Sequence, residues 1–468
     1  MLFDYDKTDM WSILRYSKNL LGKSLEQAVT PTVVVPKRGK GGLGQLVEEY
    51  FFGIENNSRQ EADFPEAGVE LKVTPLRLGK NNQYEIKERL VCTMIDFTKD
   101  QKRTFEDSHI LNKCSLMLIP FYLHLNRVPV QKLKFIYDVL WQIPDKDLLI
   151  MKQDYETIIA KIKAGKAHEI SEGDTMYLGA CRKGQKGDKD IFYKLPDGST
   201  ASTPAPKRAF ALKIAYMKTI LEFAKKTGGQ GTYNTSALVH GYGKHLIEEE
   251  ELKEKSFEDI LLDRFEPYYG MSYDELVVEM NAIASGAKSK YFLIANAILT
   301  DKGERGIDVT ASEEFLKSGI VMKTIRLNKS GRPAEAMSFE NIKYGEVMSE
   351  KNWFNSRLYE LFTQRFLFVV FQEDENKVER LKRAFFWTMP VKDLDVAAGY
   401  WLNIKNAIKA NHIAPEYFYR ESDHKNFHVR PKAKNAADVA VNPHGGTAKK
   451  YCYWFNHDYI KSIVEDAK

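Results

Sequence analysis

The sequence predicts an α/β (α+β) fold arranged as two tandem domains, each mixing strands with helices. Three observations lead there. Helical and strand-like periodicities alternate through the first third of the chain. A Gly-, Thr- and Ser-rich stretch then divides the 468 residues near their midpoint, and short segments of the first half recur in the second.

Taken in order, residues 10–30 carry helical periodicity, with Leu14, Leu20, Leu21 and Leu25 on related faces. A second amphipathic helix is expected from Gly41 to Phe52. Strands are expected at 68–75 (GVELKVTP) and 89–97 (RLVCTMIDF), and a buried strand at 114–123, dense in Leu, Ile and Phe. Helices are expected to predominate over 131–166. Residues 186–206 read as a loop inside the first domain, because Gly, Asp, Ser, Thr and Pro concentrate there. The linker signal at 225–236 (KKTGGQGTYNTS) sets domains at 1–226 and 237–468, joined by 227–236.

The repeat pairs LGKSLEQA (21–28) with YGMSYDEL (269–276), and AGVELKVTPL (67–76) with SGIVMKTIRL (318–327). Gly22 to Gly68 spans 46 positions, and Gly270 to Gly319 spans 49. Lys183 follows Gly68 by 115 positions, and Lys432 follows Gly319 by 113. Short matches alone are chance, but three markers in register argue for a duplication.

Composition narrows the partners. With 69 basic and 64 acidic residues the net charge is +5, so a nucleic-acid surface would need local clustering of cations. The four cysteines (Cys92, Cys114, Cys181, Cys452) are scattered without a CxxC pair, which fits a reducing compartment better than a disulfide scaffold. The acidic start MLFDYDKTDMW lacks the pattern of a signal peptide, and no apolar run approaches a membrane span. The expectation is an intracellular, cytoplasmic protein with no membrane partner.

The segment from Asp63 to Lys72 (DFPEAGVELK) is the most informative. On a strand, Glu70 and Lys72 share a face while Leu71 points the other way, and the Pro and Gly after Asp63 favour a turn that brings it alongside. Two carboxylates and an ammonium would converge. Carboxylate oxygens hold Mg²⁺, and a lysine there can orient a water and oppose developing negative charge. The alternative is a surface hairpin with an ordinary Glu–Lys pair. Glu48, on the preceding helix, could add a carboxylate or simply lie on a solvated face.

Other signals are weaker. Gly39, Gly41 and Gly44 fit G-x-G-x-x-G after Val33–Val35, but Pro36, Lys37 and Arg38 interrupt the strand-to-turn joint that a dinucleotide site needs. A basic loop of Lys37, Arg38 and Lys40 touching phosphate, or a plain loop, fits better. His109 and Lys113 form a polar patch ahead of the apolar strand, or a helix cap. Residues 427–435 (FHVRPKAKN) are basic and precede the aromatic cluster Tyr451–Phe455, a pairing that suits DNA or mere solvation. His424 and His428 stand four apart but lack the companions of a zinc site.

Together these blocks resemble the MutH family of GATC-specific endonucleases and the larger Sau-type restriction enzymes that carry two MutH-like domains. The stretch Lys40 to Glu48 (KGGLGQLVE), Asp63 to Lys72, Glu106 to Lys113 (EDSHILNK), and Arg430-Pro-Lys432-Ala with Asn435 are similar to successive family blocks. The resemblance implies two restriction-endonuclease-like domains of the PD-(D/E)xK nuclease fold, each a mixed β-sheet flanked by helices. Asp63, Glu70 and Lys72 would be catalytic, with Glu48 and Lys113 supporting. Mg²⁺ would sit on Asp63, Glu70 and the backbone carbonyl of Leu71. Lys40, His109, Lys183, Arg208, Arg430, Lys432, Lys434 and Tyr453 would face DNA. The implied target is GATC, cut before the G to leave a 5′-phosphate and a 3′-hydroxyl.

In the second half, Glu314 stands where the first has Asp63, Val321 where it has Glu70, and Lys323 where it has Lys72. Conversely, the first half reads Cys181-Arg182-Lys183 against Arg430-Pro431-Lys432. The halves are therefore expected to be specialised, the first for cutting and the second for binding as a degenerate DNA-binding or effector domain. The expected function is a type II restriction endonuclease, pairing as a transient homodimer on DNA and working beside a GATC methyltransferase. The alternatives are a mismatch-repair-type nicking enzyme and a non-catalytic DNA-binding protein.

Overall fold

The computed structural model describes residues 4–29, 42–55, 61–79, 82–184, 188–227, 245–282, 289–301, 308–423 and 425–467. Lys37, Arg38, Lys40, His424 and residues 228–236 of the expected linker lie outside them. The chain divides into two compact units: Met1–Ser256 with Ala311–Gly319, and Phe257–Thr310 with Ile320–Lys468. The division falls after the glycine-rich stretch, and a short helix from the second half of the sequence, Glu313–Ser318, belongs to the first unit.

In the first unit, Asp9 caps the helix Met10–Ser17 by accepting from the amides of Trp11 and Ser12. The helical periodicity of 10–30 does not make one helix: Gly22 takes φ +76°, and Ser24 starts a new short helix with a capping box. The helix Leu43–Leu46 continues as a π-helical turn, Val47–Phe52, which ends at Gly53 in the left-handed conformation.

The expected strand at 68–75 forms as β1 (Glu70–Leu71) and β2 (Thr74–Leu78). Strands β3 (Tyr84–Ile86) and β4 (Leu90–Met94) follow, then β5 (Leu116–Leu123) and β6 (Phe135–Gln142). Both β1 and β2 pair in parallel with β5 in one register, Glu70 opposite Met117 and Thr74 opposite Phe121. The helices expected over 131–166 reduce to one long helix, Asp145–Lys163. Phe135–Gln142 is instead a strand, held by its antiparallel partner β5. A second sheet joins β4 to β7 (Leu178–Arg182) and β8 (Arg208–Leu212) in the order β4-β8-β7, and the helix Ile214–Lys226 closes the run.

The second unit repeats this plan. Strand β9 (Val321–Leu327) pairs in parallel with β11 (Phe366–Glu373), as β1 does with β5. β11 forms a hairpin with β12 (Glu379–Trp387), and a helix, Val391–Lys409, follows with the same length as its counterpart, 19 residues. Strand β10 (Met337–Asn341) enters a second sheet with β13 (Phe427–Pro431) and β16 (Tyr451–Phe455) in the order β10-β16-β13; β14 (Val439–Val441) and β15 (Thr447–Lys449) form a separate hairpin.

The tenth residue of each long helix anchors the strand beside it. In the first unit Asp154 accepts from the amides of Met176, Tyr177 and Leu178. In the second, the Tyr400 hydroxyl donates to the carbonyl of His428. Each unit has its own apolar core, one around Phe51, Phe52, Phe64 and Leu118, the other around Phe366, Phe368 and Phe455. All four cysteines are buried and unbridged. Among the described residues no helix is long and apolar enough to cross a membrane.

Candidate active site

In the first unit the chain from Asp63 to Val69 is a tight hairpin. Phe64 and Val69 exchange backbone hydrogen bonds of 2.9 and 3.2 Å, and Gly68 turns the corner at φ +65°, a conformation that favours glycine. The fold sets Asp63 beside β1. The Leu71 amide donates to Asp63 Oδ2 at 2.9 Å, and the Asp63 amide donates to Glu70 Oε2 at 3.2 Å.

The other Glu70 oxygen, Oε1, accepts from Lys72 Nζ at 2.6 Å and lies 3.5 Å from Lys113 Nζ. Lys113 comes from the helix His109–Cys114, which leads into β5. Glu70 is only 2% exposed, so these donors take the place of water around its carboxyl group. Lys72 is half-buried; burial lowers its pKa, but the neighbouring Cys114 and Glu70 outweigh that and leave it above the ordinary lysine value.

Glu48 joins the cluster from the π-helical turn. Burial raises its pKa, Asp63 and Glu70 add to the rise while Lys72 and Lys113 oppose it, and the net is about 7. Asp63 is raised by burial and by Glu70, against the Leu71 amide and the two lysines. Two carboxyls pushed upward beside a third mark a crowded anionic site, an arrangement that a cation relieves. Among the described residues no three His, Cys, Asp or Glu side chains are arranged around a single ion position. Two carboxylates and a backbone carbonyl are the donor set that suits Mg²⁺, an ion that keeps several waters.

His109 is half-buried next to Arg103; burial and the Arg103 charge lower its pKa, with Asp100 acting the other way. Lys183 is exposed just past β7. Arg208 corrects an expectation: it is buried, and its guanidinium donates to the carbonyls of Ala180 (2.8 Å) and Ile170, so it braces the sheet and does not face DNA.

In the second unit the strand matching β1 carries Val321 opposite Phe366, so no carboxylate stands where Glu70 does. The helix Arg357–Phe362, capped by Ser356 as its counterpart starts at Ser108, puts Leu361 where the first unit has Lys113. Glu314 is not a left-over site acid. Within the first unit it accepts from Lys146 Nζ at 2.6 Å and from the amides of Leu246 and Ile247.

Lys323 keeps its place on β9 and donates to the Ser338 carbonyl. Arg430, Lys432 and Lys434 are exposed. Tyr453 is a second correction: the pleat turns it into the core against Tyr400. Its neighbour Trp454 lies on the opposite face, 5.0 Å from the Arg430 guanidinium. Strand alternation over 451–455 was the signal that could have separated the two. His428 lies on β13, and His424 falls outside the described residues.

A nuclease-type carboxylate–lysine centre on a mixed sheet is the class these residues define. The profile of the MutH family, "DNA mismatch repair enzyme MutH", matches residues 52–154, a span that includes Asp63, Glu70, Lys72 and Lys113. The type II restriction enzyme Sau3AI of Staphylococcus aureus is 33% identical over 475 residues, covering 92% of this chain and 93% of that enzyme. MutH proteins of Shewanella woodyi (32% identical, 40% of this chain, 78% of that protein) and Shewanella amazonensis (30%, 45% and 93%) match about one unit's length. The chain belongs to the Sau3AI-type family of type II restriction enzymes, and is a site-specific deoxyribonuclease.

Proposed function

We propose that this protein cuts both strands of DNA at 5′-GATC-3′, before the G, using Mg²⁺ and one cutting site per chain in the first unit, at Asp63, Glu70 and Lys72. The observation that carries the reading is the contrast between Glu70 and Val321 at matching strand positions. Asp63, Glu70 and the Leu71 carbonyl are the residues that would hold the ion, with Glu48 nearby. Bound Mg²⁺ would supply Lewis-acid stabilisation of the phosphate and a lower pKa for water.

The protein's own groups do the positioning. Lys72, held on Glu70 Oε1 at 2.6 Å, would orient the attacking water and oppose charge that develops on the phosphate. Lys113 presents a second ammonium from the β5 side. Products would carry a 5′-phosphate and a 3′-hydroxyl. The second unit would bind DNA through Arg430, Lys432 and Lys434 without cutting, and Lys40, His109 and Lys183 would contact DNA around the cutting site. Because each chain has one site, two chains would meet transiently on a palindrome. A GATC methyltransferase would protect the host DNA, and both enzymes would work in the bacterial cytoplasm.

A mismatch-repair nickase shares the chemistry, but the relatives with that name align with less than half of this chain. Digestion of methylated and unmethylated plasmids with Mg²⁺, followed by sequencing of the fragment ends, tests the reading. Linear products with a 5′-GATC overhang are expected. Nicked circles alone would favour the nickase, and intact unmethylated DNA would favour a non-catalytic binding protein.

A further inference from the structure

The relic site of the second unit has Val321 in place of Glu70 and Leu361 in place of Lys113, but it keeps the strand lysine as Lys323. Lys323, on β9, donates to the Ser338 carbonyl at 2.9 Å, and Lys432, just past β13, donates to the Ser338 hydroxyl at 2.8 Å. Two ammonium groups thus converge on one serine. Ser338 is opposite Trp454 in the sheet, and Trp454 lies under both Arg430 (5.0 Å) and Lys432 (5.7 Å). Glu340, on the same strand as Ser338, is committed to a bidentate pair with Arg357 at 2.8 and 2.9 Å. Burial and the Lys432 charge pull the Lys323 pKa down to about 8, with Cys452 acting the other way. In the first unit the corresponding lysine has Glu70; here it has the Ser338 carbonyl and, 5.1 Å away, the Phe339 ring, with no carboxylate in an ion pair among the described residues.

A half-buried lysine beside a second lysine is an unfavourable arrangement unless an anion joins them. We propose that Lys323, Lys432 and the Ser338 hydroxyl form a metal-independent anchor for one backbone phosphate of DNA, with Arg430 and Trp454 at its rim. The inference rests on the reading of the second unit as DNA-binding, and gives the former cutting site a new task. A phosphodiester suits the anchor because it carries one charge and accepts hydrogen bonds from both ammonium groups and the hydroxyl.

The test uses the full chain in EDTA, so that cutting is blocked, with fluorescent GATC duplex titrated over a range of salt. Lys323→Met should weaken binding about tenfold near ~0.1 M salt and make the log–log salt slope shallower by about one. Lys323→Arg should restore most of the affinity. The melting temperature of unliganded Lys323→Met should be unchanged or higher, because it removes a repulsive half-buried charge; a merely structural lysine would give a lower one.

Arg430→Ala, measured in parallel, separates the two levels of the argument. If it weakens binding while Lys323→Met binds like wild type, the phosphate anchor is wrong and the DNA-binding reading stands. If neither change weakens binding, that underlying reading falls, and the anchor with it. Inorganic phosphate at matched ionic strength provides the last arm. Stabilisation of wild type but not of Lys323→Met, with DNA binding unchanged, would make the ligand a free anion and overturn the proposal.

Discussion

Glu70 is almost wholly buried, and Lys72, Lys113 and the Asp63 amide all approach its carboxyl group. Lys72→Ala removes the closest of these and should lower the single-turnover cleavage rate by about 10²–10³-fold, the usual loss for one well-placed transition-state donor. Its affinity for DNA in EDTA should stay close to wild type. This trio was legible in the sequence because it depends on local rules, a strand period of two and a Pro–Gly turn. Arg208 and Tyr453 were not. Arg208 lies on a strand buried along its whole length, so no alternation distinguishes inside from outside. Tyr453 looked like Trp454 by composition, and only the pleat against β13 separates them.

At the scale of elements, the sequence located β1, β4 and β5 but missed β6. Phe135–Gln142 is apolar enough for a buried helix or a strand, and a distant partner, β5, decides between them. The helix Glu313–Ser318 shows the same limit. Its motif match suggested a relic of Asp63, but its side chains are held by non-local partners: Glu314 by Lys146, and Lys317 by Asp147 at 2.7 Å.

Burial alone would raise the Glu314 pKa, but His245, Lys146 and the Leu246 amide bring it down to about 2. Because the folded value lies below the ordinary 4.5, this carboxylate stabilises the fold above pH 4.5, and the contribution is lost as the pH falls towards 2. Glu314→Gln should therefore destabilise the protein at pH 7 by about 3 kcal/mol, since it leaves Lys146 without its anion. The difference from wild type should shrink as the pH is lowered through that window, as denaturant melts at several pH values will show.

The whole molecule is a duplicated plan in which one copy keeps the carboxylates and the other keeps only the strand lysine. The strand orders β4-β8-β7 and β10-β16-β13, and the paired 19-residue helices, preserve the plan far better than the sequence does. The repeat could be seen in the sequence only where glycines and a lysine held register; elsewhere the cores were refilled with different apolar residues. On the proposed function, the first unit holds the chain's one cutting site. Digestion of supercoiled GATC plasmid with the full-length Glu70→Ala protein and Mg²⁺ tests it most directly. Intact supercoiled DNA is expected from a protein that still binds its target; nicked circles with breaks at GATC would show that the second unit cuts and would overturn the single-site assignment.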